Sequence, residues 1–186
     1  YKKVIFRYFS FNSILDFGCG TGHLLKKIKK QNLNINCFGV DISNYAINKA
    51  KEEIHNIEFS DNLNEIKTNS IDLIVSLHVL EHIDNENLKK IFLDFARITH
   101  SNSNLLIVVP CVNGLGHILK KKKWIGYKDP THINLKEFES WVNFFNKNGF
   151  VVNKSFSDGL WDFPYFFNIM NFKFYKIFIL LIFQIL

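Results

Sequence analysis

The sequence predicts an α/β fold, a doubly wound and mostly parallel sheet with helices on both faces and an incomplete C-terminal part. Three observations carry this. Short apolar runs alternate with amphipathic segments of helical period along most of the chain. One of the runs, Ile71 to Leu77, is almost continuously apolar, as a central parallel strand covered on both faces must be. The first run ends in a glycine-rich turn, Gly18-Cys19-Gly20-Thr21-Gly22, that leads straight into a helical segment.

Ser13 to Phe17 is the first strand, and His23 to Lys30 is the helix behind its turn. Cys37 to Asp41 is a short second strand ending in an acid, after which Ser43 caps a helix running through Ile54. Ile57 to Ser60 is the third strand and Ile71 to Leu77 the fourth. Asn87 to Thr99 places Leu88, Ile91, Phe92, Phe95 and Ile98 at helical spacing. Leu105 to Val109 is the fifth strand, closed by Pro110, and a long loop with Gly114, Gly116, Gly126 and Pro130 runs to about Asn134. Leu135 to Asn148 is a helix with Phe138, Trp141, Val142 and Phe145 inward, stopped by Gly149, and Phe150 to Phe156 is a sixth strand. From Trp161 the texture changes to an aromatic-rich tail. Its last apolar stretch is shorter than the ~20 residues of a membrane span, so it reads as a helix on the substrate side, with contact to a membrane surface left open.

The chain has 186 residues, 47% hydrophobic and 22% charged, the balance of one domain with a core. That domain covers 1–186, with its core at about 13–156 and an extension at 157–186. Both ends read as cut, since Tyr1 opens the chain without a signal-peptide pattern and the chain stops inside the apolar run from Ile177. Cys19, Cys37 and Cys111 are odd in number and widely spaced, with no CxxC pair or His/Cys cluster at zinc spacing. No disulfide framework and no metal site is expected, and a reducing, cytoplasmic setting fits. The net charge of +6 is spread through a lysine-rich chain. The Lys120 to Lys123 run therefore reads as a solvated loop before it reads as a nucleic-acid patch.

Function concentrates in Ile14 to Gly22. The glycines let the backbone turn tightly and let a ligand approach main-chain N–H groups. A dinucleotide site would need Gly or Ala where His23 stands, and Asp16 would repel a pyrophosphate and attract a cation. Asp41 follows ~20 to 25 residues after the turn at the end of the second strand, where a carboxylate can accept both hydroxyls of a ribose. Ile42 beside it can cover one face of an adenine.

The run Leu15-Asp16-Phe17-Gly18-Cys19-Gly20-Thr21-Gly22 closely resembles the first motif of the class I S-adenosylmethionine-dependent methyltransferases. The string from Asp72 to Ile83 resembles the fourth-motif region of the small-molecule enzymes of that class. The resemblance covers roughly Ser13 to Phe156 and implies a Rossmann-like fold, S-adenosyl-L-methionine as cofactor and methyl transfer to a small molecule. It implies a cofactor site of Asp16, Gly18, Cys19, Gly20, Gly22, Asp41, Ile42, Asp61, Leu77 and His78, with Asp61 meeting the adenine amino group. In-line methyl transfer needs mainly alignment, but a hydroxyl or ammonium acceptor must also lose a proton, and histidine suits that task. His132 resembles a Thr-His element found before the last helix in many relatives, and His82 follows the fourth strand, so both are candidate bases. Either can instead be a plain loop histidine. Glu81 reads as a solvated or helix-capping carboxylate, or else as an acidic wall, and His23, His55, His100 and His117 as surface or loop residues. Trp124, Tyr127, Trp161, Phe163, Tyr165, Phe166 and Phe167 lie where such enzymes close over the acceptor.

Two other readings stay open. One is RNA or protein methylation, although Ser76-Leu77-His78-Val79 lacks the Asn/Asp-Pro-Pro-aromatic string of amino-group enzymes. The other is a non-catalytic module on the same fold, bound to a partner or a membrane. The resemblance also implies a final strand beside the fifth, and nothing after Phe156 reads as one, which would leave the sixth strand at an exposed edge.

Overall fold

The structure, a computed structural model, describes residues 1–155 and 180–184. A short helix, α1 (Lys2–Tyr8), precedes β1 (Ser13–Phe17), α2 (His23–Gln31), β2 (Asn36–Val40), α3 (Asn44–Glu53) and β3 (Glu58–Ser60). Ser43 caps α3 as its sequence position predicts, its hydroxyl accepting the Ala46 N–H. Next come β4 (Ile71–Leu77), α4 (Asn85–Ile98) and β5 (Thr99–Val108). α4 starts two residues earlier than periodicity suggests because Asp84 accepts the N–H groups of Glu86 and Asn87. The long loop is not bare: it holds α5 (Leu115–Lys120), a 3₁₀ turn at Lys121–Lys123 and α6 (Ile125–Lys128). The chain continues through α7 (Phe138–Lys147) and β6 (Phe150–Lys154), with Gly149 between them at φ 86°, to β7 (Leu180–Gln184).

The strands lie in the order β3-β2-β1-β4-β5-β7-β6. All pairs among β1 to β5 are parallel. After β3 the chain crosses to the other side of β1, which makes the junction of β1 and β4 the switch point of the sheet.

The expected incomplete sheet is corrected by β7, which runs antiparallel between β5 and β6, with Ile182 opposite both Leu105 and Val152. The sixth strand therefore has a neighbour. A short strand buried within a sheet is continuously apolar, and on period alone that pattern cannot be told from a buried helix. Trp161, Phe163, Tyr165, Phe166 and Phe167 fall outside the described residues, as does Phe156. Among the described residues no helix is long and apolar enough to cross a membrane.

Alternate residues of the central strands feed two cores. Leu15, Ile74, Leu105 and Ile107 pack with Phe92 and Phe95 of α4 and Trp141 and Phe145 of α7. Ile14, Leu73, Val75 and Leu106 pack on the other face with Ile5 of α1, Leu25 and Ile28 of α2 and Ile47 and Ala50 of α3. This two-sided burial is the physical reason for the unbroken apolar run in β4.

A polar clip ties the sheet at the end away from the switch-point mouth. Asp72 Oδ2 accepts the N–H groups of Asn12 and Ser13, and Oδ1 meets His100 Nε2 at 2.9 Å. Against partial burial, these bonds hold Asp72 below the usual carboxylate range. His100, which the sequence suggests is a surface or loop residue, lies in β5 and is a structural partner of Asp72.

Candidate active site

The carboxyl ends of β3, β2, β1 and β4 open at the switch point, where open α/β sheets bind ligands. A cleft of about 460 Å³ occupies that place. Gly18 follows β1, Asp41 and Ile42 follow β2, Asp61 follows β3, and Leu77 and His78 stand at the end of β4; all of them line the cleft, as does His82. Ile42 is 92% exposed and serves no core, a large apolar side chain held at the rim. Asp16, Cys19, Gly20, Gly22 and His132 do not line this cleft.

Residues with no sequence signal complete the wall. Asn62, Leu63 and Asn64 lie along it. Arg97, at the end of α4, donates to the carbonyls of Leu63 (2.8 Å) and Ile66 (2.7 Å) and to Asp94 Oδ1 (3.1 Å). It anchors this segment across more than thirty residues of sequence, a link that no local pattern announces.

The three glycines of the turn do different work. Gly18 has φ 81°, and a Cβ there would stand 2.2 Å from Val79 Cγ2, so the fold itself demands glycine. Gly22 packs against Phe59, where a Cβ would come within 2.7 Å of the ring. At Gly20, φ 52°, a Cβ would meet nothing within 4 Å. The N–H groups of Gly18 and Cys19 both donate to Val40 O, that of Gly20 to Asp41 Oδ2 (2.8 Å) and that of Gly22 to Cys19 O. The expected cradle of free donors is therefore absent at these positions. Backbone proximity and carboxylates are what this turn presents.

Asp41 is oriented by two donors, Gly20 N–H on Oδ2 and Ser43 N–H on Oδ1 (2.9 Å), and a carboxylate has lone pairs to spare beyond these. Asp16 lies buried just behind. Burial and the neighbouring Asp41 push its carboxyl up to about 7. Burial and the same two acids push the Cys19 thiol up to about 12, which makes it an inert packing residue rather than a nucleophile.

On the far side of the cleft stands a cluster built from two distant segments. Asn134 docks the loop before α7 onto the chain after β4: its N–H donates to Glu81 O (3.0 Å) and its Nδ2 to Ile83 O (2.6 Å). The His82 and His132 rings come to 4.7 Å between centroids. His132 Nδ1–H donates to Gly126 O (2.8 Å), leaving Nε2 4.0 Å from Glu81 Oε1 and 3.7 Å from Asp129 Oδ2. The Thr131 hydroxyl donates to Asp129 Oδ1 (2.5 Å), so it accepts from His82 Nδ1–H at 2.8 Å. These two bonds place a proton on Nδ1 of both rings, so that in the neutral tautomer the lone pair is on Nε2.

Glu81 is fully buried in the 3₁₀ turn Leu80–His82, and neither of its carboxylate oxygens has a hydrogen-bond partner. It is thus no solvated cap. A turn acid beside His82 and Asp84 carries no mark of burial in the sequence; the fold brings His78 and the docked loop's His132 against it. His78 Nδ1 faces Glu81 Oε1 at 3.6 Å, from a backbone with φ 57°, a left-handed conformation that β-strand ends rarely impose on a histidine. Trp124 and Tyr127 do not line the cleft but pack edge-to-face on each other and on His117.

A family model described as a methyltransferase domain matches residues 3–155. The chain belongs to the methyltransferase domain family. Among known proteins, the chain is similar to the ribosomal protein L11 methyltransferase of Thermotoga petrophila, 28% identical over 142 residues, or 70% of this chain and 48% of the relative. The chain thus spans about half the length of that curated relative. In fold it resembles a SAM-dependent methyltransferase from Archaeoglobus fulgidus, with a TM-score of 0.63 and 23% identity over 80% of this chain and 67% of that one. It also resembles the plantazolicin methyltransferase BpumL, solved with SAH, with a TM-score of 0.65 and 20% identity over 99% of this chain and 80% of that one. The chain's glycine turn, Asp41 and β4 end all fall at the mouth of the sheet.

Proposed function

We propose that this chain transfers a methyl group from S-adenosyl-L-methionine to a small-molecule acceptor. The observation that carries the reading is the meeting of Gly18, Asp41, Ile42, Asp61, Leu77 and His78 around one cleft at the switch point. The residues fit the cofactor's parts. Open space over Gly20 leaves room for close approach, and the loop's donors are turned inward, which suits a ligand without phosphate. Asp41 holds the ribose hydroxyls, Ile42 covers the adenine and Asp61 takes its amino group. Asp16 sets a negative field that favours a cation.

When bound, the cofactor supplies an electrophilic methyl group on a sulfonium. The protein's contribution to such a displacement is alignment and exclusion of water. A hydroxyl acceptor must lose its proton, and His82, whose Nδ1–H is committed to Thr131 and whose ring lines the cleft, takes it on Nε2. His132 stands beside it, its Nε2 facing the Glu81 and Asp129 carboxylates. The relative that methylates ribosomal protein L11 supports a second reading, a protein acceptor. A reducing, cytoplasmic setting is part of this reading, on the odd number and wide spacing of the three cysteines.

Isothermal titration of the full chain with S-adenosylhomocysteine tests the cofactor site. Asp41→Ala should weaken binding by about 10- to 100-fold, the loss of one or two charge-assisted hydrogen bonds, with the circular dichroism of the fold retained. A folded wild type that does not bind, or Asp41→Ala indistinguishable from it, would sink the proposal. Incubating the enzyme and methyl-labelled cofactor with a size-fractionated extract separates the acceptors: label in the low-mass fraction supports a small molecule, label on ribosomal protein the second reading.

A further inference from the structure

Glu81, His82 and His132 form more than a proton-transfer pair. One ligand atom from each, a carboxylate oxygen and two ring nitrogens, lies within 4.8 Å of the others. The carboxylate is the unusual member. Its side chain is 1% exposed, neither oxygen accepts a hydrogen bond, and the rings of His78 and His132 face Oε1 at 3.6 and 4.0 Å. A buried carboxylate left in that condition is costly, and structures keep such groups when they hold a cation.

The rings around it are prepared as ligands are. Metal-binding histidines usually donate the second ring N–H to a carbonyl, hydroxyl or carboxylate, which fixes the tautomer and sharpens the lone pair. His132 does so to Gly126 O, and His82 to Thr131, whose hydroxyl is in turn committed to Asp129. Bonds of ~2.0 to 2.2 Å to an ion draw ligand atoms to about 3.5 Å of one another, so a spacing within 4.8 Å closes by side-chain movements of up to about an ångström.

We infer that Glu81, His82 and His132 bind one divalent transition-type cation of the Zn²⁺ class beside the cleft. Two imidazoles and one carboxylate favour such an ion over Mg²⁺ or Ca²⁺, which take all-oxygen sets. Three protein ligands leave coordination positions open, the arrangement of catalytic rather than structural sites. Because His82 also lines the cleft, an open position there faces the place where an acceptor oxygen would come. With the ion in place the two rings are ligands, and the ion rather than a free ring acidifies that oxygen, its proton passing to solvent. In that last respect the inference rests on the proposed methyl transfer; binding of the ion does not. The expectation that no metal site exists considers only local Cys and His spacing, and His132 lies 50 residues beyond the adjacent pair Glu81 and His82.

The test uses chelator-stripped full-length protein titrated with Zn²⁺ by calorimetry, and with Co²⁺ as a spectroscopic stand-in followed by its visible absorption. One equivalent should bind, with Co²⁺ bands of a protein-ligated rather than a hydrated ion. Glu81→Gln and His132→Ala should each weaken binding by at least about tenfold, and Thr131→Val, outside the ligand set, by about tenfold. His55→Ala, on the exposed surface, should leave it unchanged. Absence of a stoichiometric site, or binding that survives Glu81→Gln, His132→Ala and Thr131→Val, overturns the inference. S-adenosylhomocysteine titrated into each variant without metal reports the fold and the cofactor cleft separately. Cofactor binding without metal binding defeats this inference alone, and the converse defeats the methyl-transfer reading alone.

Discussion

At Gly18 and Gly20, two residues apart on one turn, the same substitution has opposite readouts. Gly18→Ala drives a methyl into Val79 and adds left-handed strain, a loss of about 2 to 5 kcal/mol that urea unfolding will detect. Gly20→Ala meets no protein atom and loses only the strain, about 1 to 2 kcal/mol, yet it fills the space over the turn. Titration should therefore show cofactor binding impaired in a protein that still folds. Asp16 adds a pH dependence. Its carboxyl is raised to about 7 in the folded chain against an ordinary 3.8, so between those values the folded state keeps a proton that the unfolded state releases. Stability from this group falls as pH climbs from about 4 to 7 and levels off above. A cationic ligand prefers the ionised form, so affinity for S-adenosylmethionine should rise with pH, by at most about tenfold per unit, up to about 7 and then flatten. Calorimetry at pH 6 and pH 8 checks this, and Asp16→Asn should abolish the step. The identities of these residues are legible in the sequence. Their separate duties are not, because Val79, Phe59 and Asp41 come to the turn from other strands and loops.

Element by element, the βα alternation through β5 is readable because each strand is short, each helix is amphipathic, and glycine or a capping residue punctuates them. The misreadings have one cause. α1, the helices inside the long loop and β7 are too short for a period to declare itself, and each is stabilised by what it packs on or pairs with rather than by local preference. β7 is the largest of these corrections, since it joins β6 to the parallel strands. Truncation ahead of Leu180 should leave β5 and β6 with open edges. We expect a melting temperature lower by about 10 °C or more and new aggregation by light scattering; an unchanged melt and a monodisperse sample would show that β7 does not hold the sheet.

For the whole molecule, the same sheet carries a structural end and a chemical end. The clip of Asp72, His100, Asn12 and Ser13 secures the first. Asp72 is held below its ordinary range, so its contribution is present above pH ~4 and is lost as pH falls through its lowered folded value. Asp72→Asn should melt earlier than wild type at pH 7, and the gap between the two should narrow in scanning calorimetry below pH 4. A constant gap across that range would remove Asp72 from the acid response. At the chemical end, the sequence by itself determined the fold class, the glycine turn and the acids at the strand ends. Those depend on periodicity and on residues within about twenty-five positions of one another, which local order preserves. Only the tertiary structure decided that Glu81 is buried without a hydrogen-bond partner and that His132 stands beside His82. It also decided that the turn's donors face inward and that a strand near residue 180 completes the sheet. Each of these is a contact between segments far apart in the chain, set by docking of whole elements on a common core, and no local pattern encodes which partner a residue will meet.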